Sequence, residues 1–130
     1  MKELVIRTGK EKEVLDITHE VEQAVAEQGV KEGICHLFLL HTTAALTTSD
    51  LDTGTDLDIL DALEHIVPNL NYRHPHNPRH AKYHIMATMI GPSISVPLEE
   101  GKLQLGPWQR IVLLEFGGPR ERSIILHCSP

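Results

Sequence analysis

The chain has 130 residues, of which 41% are hydrophobic and 23% charged, a globular mixture long enough for one domain and one core. Twelve basic residues against 18 acidic ones give a formal charge of -6, which argues against the basic face of a general phosphate-backbone binder, so no nucleic-acid partner is expected. Nowhere do 18 apolar residues run together, and Met1 to Arg7 holds no signal-type apolar stretch; the expectation is a cytoplasmic protein with no membrane partner.

Leu4 to Thr8 reads as a short strand. From Asp16 to Gln28, the apolar residues Ile17, Val21, Ala24 and Val25 recur at helical spacing, with Asp16 or Thr18 as cap and Gly29 as the left-handed terminator. Ile34 to Leu40 is a nearly continuous apolar run and predicts a strand buried on both faces, with His41 at its end. Thr47 to Gly54 is rich in hydroxyls and carboxylates and reads as a loop. A second helix is expected from Thr55 or Asp56 to Ile66, stopped by Pro68.

Asn69 to Lys82 shows little periodicity and reads as a second long loop. The remainder alternates apolar runs with turn signals: His84 to Ile90, Ile94 to Pro97, Lys102 to Leu105, Trp108 to Phe116 and Ser123 to Cys128. These predict a meander of antiparallel strands. The fold expected for residues 1–130 is a single α+β domain, an antiparallel β-sheet meander with two helices packed on one face. Cys35 and Cys128 sit in apolar runs without metal-type spacing and read as buried, reduced thiols.

Chemistry concentrates in histidine. Of nine histidines, His74, His76, His80 and His84 fall within eleven positions, a tract that either binds a metal ion through neutral imidazoles or is a polar surface loop. His41 ends one predicted strand and His84 opens another, and antiparallel pairing of the two would set their rings side by side. The candidate metal ligands are His41 and His84, with His74 and His80 as supplements and the choice among His74, His76 and His80 left open by the spacing. Among the carboxylates Asp50, Asp52, Asp56 and Asp58, the last two suit a helix N-terminus; Asp50 joins His41 and His84 as a candidate for acid–base chemistry. Thr42 and Thr43 beside His41, together with Arg110 and Arg120, are the candidate binders of a phosphate group, and Arg120 follows a tight Gly117-Gly118-Pro119 turn that can aim it. Arg73, Arg79, Lys82 and Arg122 add to the cations, while His19, His36, His65 and His127 are given no role. The absence of GxxxxGK[ST], GxGxxG and GxSxG leaves nucleotide-fold and serine-hydrolase readings without support.

His41-Thr42-Thr43-Ala44-Ala45-Leu46-Thr47, Tyr72-Arg73-His74, His84, Gly91-Pro92-Ser93-Ile94-Ser95-Val96-Pro97, Gly101 to Gln109 with its Leu105-Gly106-Pro107-Trp108-Gln109 element, and Glu115-Phe116-Gly117-Gly118-Pro119-Arg120 occur in this order. Together they resemble the YjbQ-like family, also called the secondary thiamine-phosphate synthase family. The resemblance implies a compact α+β homotrimer with its polar site near the subunit boundary. It also implies a weak activity that joins a pyrimidine diphosphate to a thiazole phosphate and releases pyrophosphate. A divalent metal, zinc-like or magnesium, together with Arg110 or Arg120 would neutralise the leaving group. Two positions depart from the family pattern. Ser49-Asp50 stands where many members carry Asn-Glu, which shortens the carboxylate, and His80 stands where many carry Asn or Asp, which favours a softer ion. Trp108 reads as a core or interface anchor with its N–H bonded.

Two other functions fit the same residues: a metal- or anion-binding trimer without catalysis, and a metal-dependent hydrolase that uses bound water.

Overall fold

A computed structural model describes residues 1–74 and 77–130; His76 of the histidine tract lies outside the described residues. Eleven elements follow in chain order: β1 (Lys2–Arg7), β2 (Glu13–Asp16), α1 (Thr18–Gln28), β3 (Gly33–Leu39), β4 (Ala44–Ser49), α2 (Thr55–Ile66), α3 (Pro78–Ile90), β5 (Ser93–Glu99), β6 (Lys102–Leu103), β7 (Arg110–Glu115) and β8 (Glu121–Ser129). The fold is α+β, and every strand pair is antiparallel.

The strands form two sheets, not a single meander. A five-stranded sheet has the order β1-β8-β3-β5-β6, and a three-stranded sheet has the order β2-β7-β4. Their separation follows from β7. Every residue from Ile111 to Glu115 is buried, so this strand has apolar neighbours on both faces. Ile111 and Leu113 join the main core with α1 and the inner face of β3 and β8, whereas Val112 and Leu114 join a second core with α2 and α3. The layers are thus five-stranded sheet, three-stranded sheet, and the α2–α3 pair, with α1 closing the first core.

α1 starts at Thr18, whose N–H the Asp16 carboxylate accepts at 3.0 Å, and ends at Gly29 with φ 70°. α2 matches the expected second helix. The third helix was not expected. Residues 84–90, predicted as a strand, belong to α3, and so does the end of the predicted loop from Pro78 onward. Asn77 caps α3 by accepting the Arg79 N–H at 3.1 Å, and Pro78 occupies the first turn, where its missing N–H costs nothing. Tyr83, Met86 and Ala87 form the buried face. β4 replaces the start of the predicted 47–54 loop: its hydroxyl residues pair with β7, Thr47 opposite Val112 and Thr48 opposite Ile111. Trp108 is 77% exposed in the turn before β7, so it is no core anchor. No described helix is long and apolar enough to cross a membrane.

Candidate functional site

The crossover from β3 into β4 brings His41, Thr42 and Thr43 against the start of α3 and the turn before β8. His80 and His84 are four residues apart and share one face of α3, where the helical rise keeps them about one turn apart. Leu40, His41, Thr43, His80, His84 and Arg120 face a hollow of about 270 Å³, whose floor is Arg122. His41 and His84 meet here, as part of a helix-to-loop contact and not as paired strand ends.

The hydrogen bonds fix which imidazole nitrogens carry protons. The Ser123 N–H donates to His41 Nε2 at 2.8 Å, so in neutral His41 the proton is on Nδ1, free to donate. Burial holds the His41 pKa below the usual histidine range; the Arg122 and Arg120 charges add to this and Glu115 opposes it. His84 has the opposite polarity. Its Nδ1–H lies 3.1 Å from the Thr42 carbonyl, which leaves Nε2 as an acceptor. One neutral donor and one acceptor therefore flank the same hollow.

Below them lies a buried ion pair. Glu115 accepts from Arg122 Nε at 3.0 and 3.1 Å and from Arg122 Nη2, and Nη2 also reaches Thr43 Oγ1 at 2.9 Å and the Thr43 carbonyl at 3.2 Å. Thr8 Oγ1 donates to Glu115 Oε1 at 2.7 Å and accepts the Arg120 N–H at 2.9 Å. Such satisfaction is what a buried pair requires. It also orients Arg120, whose Nε donates to the Gly117 carbonyl at 3.2 Å.

His80 and Arg120 are shared with a neighbouring hollow of about 180 Å³, walled by Glu11, Arg79, Tyr83 and the Gly117–Gly118 turn. The Tyr83 hydroxyl donates to Glu11 Oε1 at 2.5 Å. This bond, above all, lowers the Glu11 pKa, while burial and then the Glu11 bond push Tyr83 up to about 12.

The other predicted residues go elsewhere. Thr42 and Thr43 face the site, but Thr42 serves His84 through its carbonyl and Thr43 serves Arg122. Asp50 and Arg110 line a different groove of about 750 Å³ with Asp16, Leu51, Asp52 and Trp108. Arg110 Nε is tied to Asp16 Oδ2 at 2.8 Å there.

The four-histidine metal site is not assembled. Among the described residues no group of three or more His, Cys, Asp or Glu is placed to hold an ion. His41 Nε2 is occupied by an amide donor, and neutral Nδ1 then carries a proton, so His41 offers no lone pair. His74 stacks on His84 with ring centres 5.1 Å apart and planes 14° apart, a packing contact and not a convergent chelate. The donor set does not fit a divalent ion, and no step is drawn through one. Sequence reasoning missed Glu115, Glu11 and Tyr83 and left Arg122 among the surface cations. β8 strand parity held the signal for Arg122, which alternates with inward-facing Ile124, Leu126 and Cys128.

The model of the UPF0047 protein YjbQ-like family matches residues 2–130. A UPF0047 protein of Archaeoglobus fulgidus is 42% identical over 125 residues, covering 95% of this chain and 97% of that protein. UPF0047 protein YugU of Bacillus subtilis is 35% identical over 124 residues, with 95% and 94% covered. The fold is similar to the crystal structure of a YjbQ/UPF0047 family protein of Clostridium acetobutylicum, with TM-score 0.91, 35% identity and coverage of 99% of this chain and 100% of that one. A Sulfolobus solfataricus protein described as of unknown function also gives TM-score 0.91, at 36% identity with 98% and 94% covered.

Proposed function

The chain belongs to the YjbQ-like family, UPF0047, and from that premise we propose that it is an enzyme acting on small phosphorylated heterocycles in the His41–His84 hollow. The reaction is the joining of a pyrimidine diphosphate to a thiazole phosphate. A carbon–nitrogen bond forms, the carbon–oxygen bond to the diphosphate breaks, and its electron pair leaves on pyrophosphate. The observation that carries the reading is the convergence of His41, His80, His84 and Arg120 over a buried arginine.

Each group has a task consistent with its geometry. The His41 Nδ1–H donates to an oxygen that gains negative charge, Arg120 neutralises that charge, and His84 Nε2 accepts a hydrogen bond from the heterocycle. A neutral His41 suits donation without adding a further full cation to Arg120 and Arg122. The same reading includes a homotrimer as the working form.

Turnover of the pyrimidine diphosphate and thiazole phosphate pair should fall by about 10² in both His41→Ala and His84→Ala, the usual effect of losing such a group. Variants as active as wild type would leave the hollow a binding site without catalysis.

A further inference from the structure

We infer that the smaller hollow is a second anion compartment, built by Arg79 and Arg120 around His80, and that the full site takes a ligand with two linked phosphate groups. The inference rests on the reading of the His41–His84 hollow as a phosphate site, and extends it to the neighbouring hollow that shares His80 and Arg120.

Charge pairing leaves Arg79 and Arg120 open at this hollow. Arg7 is paired with Glu121, Arg110 with Asp16 and Arg122 with Glu115. Among the described residues Arg73, Arg79 and Arg120 are in no ion pair, and of these Arg79 and Arg120 line the 180 Å³ hollow. Arg79 has no side-chain hydrogen bond among the described residues, and Arg120 uses only Nε, on the Gly117 carbonyl. Two guanidinium groups with unspent donors, against the one Glu11 carboxylate on the same wall, make a local positive centre suited to phosphate oxygens in a chain of net charge -6.

Glu11 is the carboxylate on this wall, and its place supports the assignment. Its Oε1 is engaged by the Tyr83 hydroxyl, and Arg79 acts on it only through space, as a lesser cause of its lowered pKa. Glu11 therefore anchors Tyr83 and leaves the Arg79 donors unclaimed. Gly117 and Gly118 give the turn its close approach: a Cβ on Gly118 would lie 2.7 Å from Glu115 Oε1, and one on Gly117 3.3 Å from Thr43 Oγ1. Arg120 belongs to both hollows, so a diphosphate lying across it has one phosphate against His41 and His84 and the other against Arg79.

Calorimetric titration with inorganic phosphate and with pyrophosphate, at fixed pH and salt, tests this directly. Wild type should bind pyrophosphate at least about tenfold more tightly than phosphate. Arg79→Gln should weaken pyrophosphate about tenfold, as expected for loss of one charge-assisted contact, and leave phosphate within about twofold. Lys102→Gln, which removes an exposed charge on β6, should change neither. The inference is overturned if wild type shows no preference for pyrophosphate, or if Arg79→Gln alters both affinities alike or neither. Arg79 is exposed, so its replacement leaves the core intact. Failure of the transferase assay with this binding pattern intact would sink the proposed reaction alone; turnover without the Arg79 effect would sink the second compartment alone.

Discussion

Burial, and after it the charge of Arg122, which is 1% exposed beneath the histidine pocket, lowers the pKa of His41. The sign follows from the protonation equilibrium. A histidine whose pKa is lower in the folded state than its usual 6.5 binds its proton more readily when unfolded. His41 therefore costs nothing above pH 6.5 and removes stability progressively as pH falls below it, until the folded form is also protonated. Protonation also breaks the acceptor role toward Ser123. We expect wild type to lose more stability between pH 7.5 and 5 than His41→Gln, as measured by denaturant unfolding at each pH; parallel profiles would remove His41 from the account. The histidines themselves were legible, because an imidazole declares itself by type. Their partners were not: Glu115 ends an apolar run and Arg122 begins one, and only the alternation of β8 marks the arginine as inward.

At the scale of elements, β1, β3, β5, β6, β7, β8 and the first two helices were readable, because their apolar spacing and turn residues agree, whereas the four-residue β2 was too short to show a pattern. α3 was not. Its Ile85, Met86, Met89 and Ile90 crowd into what looks like a buried strand, and the helical signature lies in Asn77-Pro78 and in the spacing of Tyr83, Met86 and Ala87, whose buried faces point at β4 and β7. β4 was hidden for the converse reason: its threonines mimic a turn, while their strand pairing depends on β7, more than sixty residues later. The turn from Gly117 to Arg120 joins these elements to the site. An alanine at Gly118 would press on the Lys10 carbonyl and on the Glu115 carboxylate. Gly118→Ala should therefore destabilise the protein by about 1–3 kcal/mol, the ordinary range for overpacking, and weaken phosphate binding because Arg120 moves with the turn. Equilibrium unfolding and the same titration check both; unchanged stability would show that the turn yields freely.

At the scale of the whole molecule, the large sheet has an apolar outer face. On the outer side of the five-stranded sheet, Val5, Ile34 and Phe38 are 49%, 44% and 51% exposed, and Leu40 continues the apolar surface to the rim of the histidine hollow. Exposed apolar residues in this number suit a buried subunit contact. Light scattering should give three times the 14.6 kDa chain mass, and Phe38→Glu should reduce it to one; a wild-type mass of one chain would refute the trimer. The same sheet has its last strand at its centre: β8 lies between β1 and β3 and carries Arg122. During synthesis, β1 and β3 therefore wait without a common partner until residues 121–129 emerge. That late segment delivers the floor of the histidine hollow in the same event, so a chain broken before β8 leaves β1 detached from β3 and the hollow without Arg122.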